Sequence, residues 1–382
     1  MSSFHLRTGN QMMAEGAIQA GCKFFAGYPI TPASGIFKTM IDLLPSKGGI
    51  ALSAPDEISA IAYCIGASMK GAKAMTATSG PGWALMIESV QYALMTETPL
   101  VVSLVQRLGP STGGATQGAQ GDVLLAEFAT SGGYTLPMLC PTNARECYEL
   151  TVLAFTWAEL YRTPVILLSD KEVGMTAERV DYDSLPKFTS QDRPRLRQVA
   201  GGDGARQTMP GGTYFFRDPQ EIPAFSPVGG EVKVTATGSA HDKRGKLQKN
   251  SPETIDVLLH LEEKLRWREQ DLAVVDADLQ EGAETLLVSY GVTSRAAKDA
   301  VQSLRRQGGK VSFLGIQSLF PVPKKKIADA LRGINRVIVA EENMKGLYRS
   351  VIERYCGGNP VVGVNKVGSM ITPREILSVI VQ

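Results

Sequence analysis

The chain has 382 residues, 43% of them apolar and 20% charged, with a formal net charge of +2, which is enough for more than one domain around a sizeable core. That near-neutral balance gives no reason to expect nucleic acid or an anionic membrane as partner. No apolar run reaches the roughly 18 to 20 residues that span a bilayer, and the N-terminus, MSSFHLRTGNQMMAEGAIQAG, lacks the apolar centre of a signal peptide, so a cytoplasmic location is expected.

From residue 1 to about 180, short apolar runs alternate with Ala- and Gly-rich stretches of helical length. CKFFAGYPI (22–30), KAMTATS (73–79), TPLVVSLVQ (98–106) and TPVILLSD (163–170) read as strands. EISAIAYCIGASMKG (57–71) and GWALMIESVQYALMTE (82–97) read as helices between them. Strand then helix, repeated, predicts a parallel α/β sheet whose ligands gather at the loops leaving the C-terminal strand ends. Residues 181–262 are rich in Pro, Gly and charge and read as an extended connector, in which VKVTATGSAHDKRGKL (232–247) adds one strand and a turn. SPETIDVLLHLEEKLRWREQDL (251–272) carries a helical stripe with Ser251 as N-cap.

A second α/β unit occupies 263–382. ETLLVSYG (284–291) and KVSFLGIQSLFP (310–321) each read as one strand. TSRAAKDAVQSLRRQGG (293–309) reads as a helix capped by Thr293 or Ser294 and ended by Gly308, VPKKKIADALRG (322–333) as another, and RVIVAEEN (336–343) as a further strand. The five cysteines (Cys22, Cys64, Cys140, Cys147, Cys356) are odd in number and form no CxxC pair. That speaks against a disulfide framework and against an iron–sulfur cluster held by this chain alone. Three histidines (His5, His241, His260) offer no metal-ligand spacing, so no metal site is expected on this chain.

Two stretches stand apart. GYPITPASGIF (27–37) brackets Thr31 with two prolines and fits neither strand nor helix periodicity, so it reads as a rigid loop. In APDEISAIAYCIGASMKGAKAMTATSGPG (54–82), Glu57 enters a helix whose face is so apolar that it must be buried, where a carboxylate is costly unless something pairs with it. The plainer alternative is a first-turn acid that caps the helix and complements its dipole.

In order and spacing, GYPITPASGIF, DEISAIAYCIGASMKGAKAMTATSGPGWALMIE and ETPLVVSLVQRLGPSTGGATQGAQGD resemble the α-subunit of thiamine-diphosphate-dependent 2-oxoacid:ferredoxin oxidoreductases of the 2-oxoglutarate type. The likeness extends through LLVSYGVTSRAAKDAVQSLRRQGGKVSFLGIQSLFP to VIVAEEN and so covers nearly the whole chain. It implies a pyrimidine-type thiamine-diphosphate domain followed by a transketolase C-terminal-like α/β domain. The activity it implies is oxidative decarboxylation of a 2-oxoacid, with 2-oxoglutarate the expected substrate, CoA as co-substrate and ferredoxin as acceptor. Two rivals stay open: a subunit of a lipoate-linked 2-oxoacid dehydrogenase or transketolase-like enzyme, and a non-catalytic scaffold subunit.

The resemblance also assigns residues. Glu57 is the catalytic glutamate that contacts N1′ of the aminopyrimidine, and the contact is strong where the dielectric is low. Tyr28, Pro29, Thr78, Ser79 and Gly80 line the cofactor pocket. Thr31 and Arg107 bind the substrate carboxylate, the Arg through its planar fork. The run GATQGAQGD departs from the pattern associated with 2-oxoglutarate, with Ala115 in place of proline while Thr116, Gln120 and Asp122 remain. GDG at 202–204 lies in the connector with no Asn pair downstream, so it is not read as the Mg²⁺ motif. The diphosphate site, Mg²⁺ and a [4Fe–4S] cluster are therefore expected on a β-subunit, in an α2β2 assembly that leaves open a separate γ-type subunit. GSAHDKRGK (238–246) resembles a histidine-bearing loop of the family, although a solvated turn is the simpler reading of His241. Lys324, Lys325 and Lys326 read as the polar start of a helix rather than as a ferredoxin dock.

Overall fold

The computed structural model describes residues 4–188, 190–196 and 212–381; the GDG at 202–204 lies outside them. The first half runs β1 (Phe4–Thr8), α1 (Gly9–Gln19), β2 (Phe24–Gly27), α2 (Ser34–Leu43), β3 (Ile50–Ser53), α3 (Glu57–Met69), β4 (Ala74–Thr78), α4 (Gly80–Met95) and β5 (Leu100–Gln106). It continues with α5 (Val123–Glu127), β6 (Met138–Leu139), α6 (Ala144–Tyr161), β7 (Pro164–Asp170), α7 (Lys171–Met175) and β8 (Ala177–Asp181). After the connector come α8 (Pro252–Arg266), β9 (Val275–Asp278), β10 (Thr285–Ser289), α9 (Thr293–Arg306), β11 (Ser312–Ile316) and β12 (Ser318–Phe320). The chain ends with α10 (Lys324–Ala330), β13 (Arg336–Glu341), α11 (Leu347–Ile352), β14 (Val361–Asn365) and α12 (Pro373–Ile380).

Strands β4, β5 and β7 are buried along their whole length, as unbroken apolar runs demand when helices cover both faces of a parallel sheet. They form the centre of a seven-stranded sheet of order β12-β6-β7-β5-β4-β2-β3, parallel except for the antiparallel β12. The second sheet has the order β14-β13-β10-β11-β9, with only β9 antiparallel. The chain thus has the α/β architecture expected of it.

Three local readings change. KVSFLGIQSLFP is two strands, not one: Ser312–Ile316 pairs in the second sheet, while Ser318–Phe320 crosses to pair with Met138–Leu139 at the edge of the first. One apolar core consequently runs through both units, from Trp83 and Val102 to Tyr290, Ile316 and Tyr348. Residues 232–247 form no strand; His241 and Leu247 make a single bridge around a turn. Helix α9 has no side-chain cap, because Thr293 and Ser294 lie inside its first turn with hydroxyls bonded to Gln120 and Ser289. Ser251 does cap α8, accepting from the Thr254 amide at 3.2 Å.

The connector is firmly anchored. Arg193 sits 2% exposed with its guanidinium on Glu159 and on the carbonyls of Ser68 and Ala72. At the far end of α4, Glu97 is buried against Lys264 (2.8 Å) and His260 (3.2 Å) of α8. Burial pushes the Glu97 carboxyl up, but the facing cations overcome it and hold the group well below the usual carboxylate range.

Candidate active site

The register of the first sheet places the ends of its strands side by side: Gly27 beside Ser53, Thr78 beside Leu104, Gln106 beside Asp170. The 28–32 loop, the start of α3, the start of α4 and the 107–122 segment therefore emerge on one edge, where parallel sheets bind ligands.

Glu57 is the first residue of α3 and 6% exposed. The capping role belongs to its neighbour: Asp56 accepts from the Ser59 amide at 2.7 Å. Among the described residues the Glu57 carboxylate has no hydrogen-bond or ion-pair partner. It lies against the β4–α4 turn, where a Cβ built on Gly82 would stand 2.6 Å from its Oε1 and 2.2 Å from Thr78 Oγ1. Thr78 and Ser79 are fully buried, and Ser79 Oγ has no partner among the described residues. Gly80 is equally confined, since a Cβ there would meet both carboxylate oxygens of Asp122 at 2.9 Å. A buried unpaired acid, an orphaned hydroxyl and two glycines that hold space open form a cradle suited to a small polar heterocycle.

Arg107 and Thr31 come together through the loop backbone. Arg107 Nη1 donates to the Thr31 carbonyl and Nη2 to the Thr112 carbonyl at 3.0 Å, while the buried Nε has no partner. Asp122 faces the same region; burial pushes its carboxyl up to about 6, opposed by the Arg107 charge. Tyr28 and Pro29 are exposed just beyond β2. A cavity of about 450 Å³ opens here, between Gly80 and Pro81, the Arg107–Ser111 stretch and Asp122 on one side, and Asn343, Met344 and Lys345 of the second unit on the other. Thr31 and Glu57 do not line it.

His241 is neither near this edge nor solvated. It is buried at the C-terminal end of α4, stacked on Tyr214 at 4.3 Å, with Nδ1 at the Asp242 carbonyl. Lys324 and Lys325 start α10 in the open, reaching Glu269 and Gln270. Gly82 and Asn343 escaped the sequence reading. A second glycine within the apolar start of a helix is a detectable signal, because it costs helix propensity unless space is needed; Asn343 has no such mark.

A chain built this way falls in the class of α/β proteins that bind an organic cofactor at the ends of a parallel sheet. Comparison with known proteins is more specific. Residues 15–245 match the family described as pyruvate flavodoxin/ferredoxin oxidoreductase, thiamine diphosphate-binding, and residues 283–376 match pyruvate:ferredoxin oxidoreductase core domain II; the chain belongs to this family. The 2-oxoglutarate synthase subunit KorA of Methanothermobacter marburgensis is 37% identical over 99% of this chain and 98% of its own. The solved 2-oxoglutarate:ferredoxin oxidoreductase of Magnetococcus marinus, with 2-oxoglutarate, coenzyme A and succinyl-CoA bound, is 31% identical with a TM-score of 0.90. The alignment covers 99% of this chain and 65% of that one. A split-gene transketolase shares the fold, with a TM-score of 0.54 at 14% identity over 97% of this chain and 94% of its own. Among the described residues no helix is long and apolar enough to cross a membrane.

Proposed function

We infer that this chain is the α-subunit of a 2-oxoacid:ferredoxin oxidoreductase that converts 2-oxoglutarate and CoA to an acyl-CoA and CO₂, passing two electrons to ferredoxin. The observation that carries this reading is the buried Glu57 carboxylate, unpartnered among the described residues and set against Thr78 and Gly82. Thiamine diphosphate, when bound, supplies the nucleophilic carbon and the electron sink for decarboxylation. Glu57 would hold the proton at N1′ of its aminopyrimidine, with Ser79 Oγ as a neighbouring partner and Thr78, Gly80, Tyr28 and Pro29 forming the pocket. Arg107, fixed by two carbonyls with Nε to spare, and the Thr31 hydroxyl would orient the substrate carboxylate.

The cavity beside Arg107 also carries Lys345, whose ammonium has no partner among the described residues. Two cations, Arg107 and Lys345, against the one carboxylate of Asp122 favour a dicarboxylic 2-oxoacid over pyruvate or a branched-chain acid. The five buried cysteines are free and dispersed, and among the described residues no group of three or more ligating side chains could hold a metal. The reading places the Mg²⁺–diphosphate site and the [4Fe–4S] cluster on a β-subunit, in a cytoplasmic α2β2 assembly that leaves room for a separate γ-type subunit. The test is anaerobic viologen reduction by the complex with native partner subunits, across pyruvate, 2-oxoglutarate, branched-chain and aryl 2-oxoacids. A clear preference for 2-oxoglutarate supports the reading; turnover that depends on a lipoyl domain and reduces no viologen would replace it with the lipoate-linked one.

A further inference from the structure

Gln120 lies fully buried where the two units meet, and every polar group it carries is used. Its side-chain amide donates to Asp170 Oδ2 and to the Tyr290 carbonyl, each at 3.1 Å. Its side-chain oxygen accepts from the Glu342 amide at 2.8 Å and from the Thr293 hydroxyl at 3.1 Å. Its own amide donates to the Glu342 carbonyl at 2.7 Å, and its carbonyl accepts from Asn343 Nδ2 at 3.1 Å. Five of these six bonds join the first unit to the second.

The segment fastened in this way begins at Arg107 and ends at Asp122, both of which line one wall of the cavity. The opposite wall is the turn Asn343–Lys345, shaped by Asn343 Oδ1 accepting from the Gly346 amide at 2.8 Å. We propose that Gln120 is a positioning residue for 2-oxoacid binding: it holds the Arg107–Asp122 segment against the Asn343–Lys345 turn and thereby sets the distance between Arg107 on one wall and Lys345 on the other. This rests on the function proposed above. A hydrocarbon of the same length would fill the space without making any of the four side-chain bonds.

The surroundings make the amide specifically necessary. Asp170, at the end of β7 with Glu172 and Cys140 close by, accepts from it; Tyr290 follows β10 with its hydroxyl on Glu341; and Glu342, with Lys366 close by, follows β13. Asp122 and Arg107 lie on its own segment. A glutamate at 120 keeps the acceptor for the Glu342 amide but, once ionised, loses both donors and adds a charge beside Asp170. When protonated it regains one donor.

The test uses the complex of this chain with its native partner subunits. Gln120→Ala and Gln120→Glu are assayed for 2-oxoacid-dependent viologen reduction, with KM and kcat separated. At pH 8 both variants should raise KM for 2-oxoglutarate by about 10- to 100-fold, the range expected for losing hydrogen bonds to charged or buried groups, with a smaller change in kcat. At pH 6 Gln120→Glu should recover toward wild type and Gln120→Ala should not. Thr293→Val, which removes a single bond from the second unit, guards against a folding defect and should raise KM in the same direction by a smaller factor. An unchanged KM in folded variants, or equal losses with no recovery of Gln120→Glu at low pH, would overturn the inference alone. A wild-type complex inactive toward every 2-oxoacid would overturn the functional reading and this inference with it.

Discussion

The carboxylate of Glu57 and the α-carbon of Gly82 are packed so closely that a methyl group on Gly82 would stand 2.6 Å from Oε1. No real Cβ tolerates that contact, and the same methyl would lie 2.2 Å from Thr78 Oγ1. Gly82→Ala must therefore displace the Glu57 side chain or the first turn of α4. Because a shift of about 1 Å at a reacting centre costs about 10²-fold, kcat/KM should fall by that order while the chain stays folded. Steady-state kinetics beside a thermal melt checks this; wild-type kinetics in the folded variant would detach Glu57 from the chemistry.

Arg107 spends two of its N–H groups on the carbonyls of Thr31 and Thr112, so it both shapes the loop and offers its remaining donors. A lysine has neither the fork nor the reach to do both. Arg107→Lys is expected to raise KM for the 2-oxoacid by about 10- to 100-fold, the equivalent of one charge-assisted pair. A KM within threefold of wild type would move the substrate carboxylate elsewhere.

At the other end of α4, Lys264 and Glu97 form a buried pair in which both side chains are almost wholly removed from solvent. Removing Lys264 leaves a buried carboxylate faced only by His260 and Arg162, so Lys264→Met should destabilise the chain by about 3 kcal/mol. The paired Lys264→Met, Glu97→Gln chain should recover part of that loss. Denaturant unfolding measures both; a single variant as stable as wild type would contradict the pairing.

Burial pushes the carboxyl of Asp170 up to about 7, against about 3.9 in an unfolded chain. The folded state keeps a proton that the unfolded state releases between those values. The associated stability is thus fully present below about pH 4 and is lost as pH rises through about 7. Asp170→Asn carries no such proton, so its stability relative to wild type should increase between pH 5 and pH 8. A difference that does not change with pH would show that Asp170 ionises in its ordinary range.

The α/β class was legible because LVVSLVQ and PVILLSD are apolar throughout, as strands covered on both faces must be, and because turn signals separate them from helices of small residues. The split of KVSFLGIQSLFP was not. Nothing in that run marks Gln317 as a break, and only the waiting edge of Met138–Leu139 decides that Ser318–Phe320 leaves its own sheet. Charged residues of the connector and α8 mislead in the same way. Nothing in the chain marks Arg193 and Lys264 for burial, yet each is buried because its partner, Glu159 or Glu97, approaches from 34 or 167 residues away. In the candidate site, positions at strand ends and helix starts could be read from the chain. Close approaches could not: the contact of Gly82 with Glu57 and the bridging of Gln120 exist only once the sheet has folded.

The most direct measurement compares viologen reduction by the wild-type complex with that by a complex carrying Glu57→Gln, anaerobically, with 2-oxoglutarate, CoA, Mg²⁺ and thiamine diphosphate. Turnover is expected from the wild-type complex, none from this chain alone, and a loss of at least about 10²-fold in Glu57→Gln with assembly and melting temperature preserved. Turnover near wild type in Glu57→Gln would contradict the role given to Glu57.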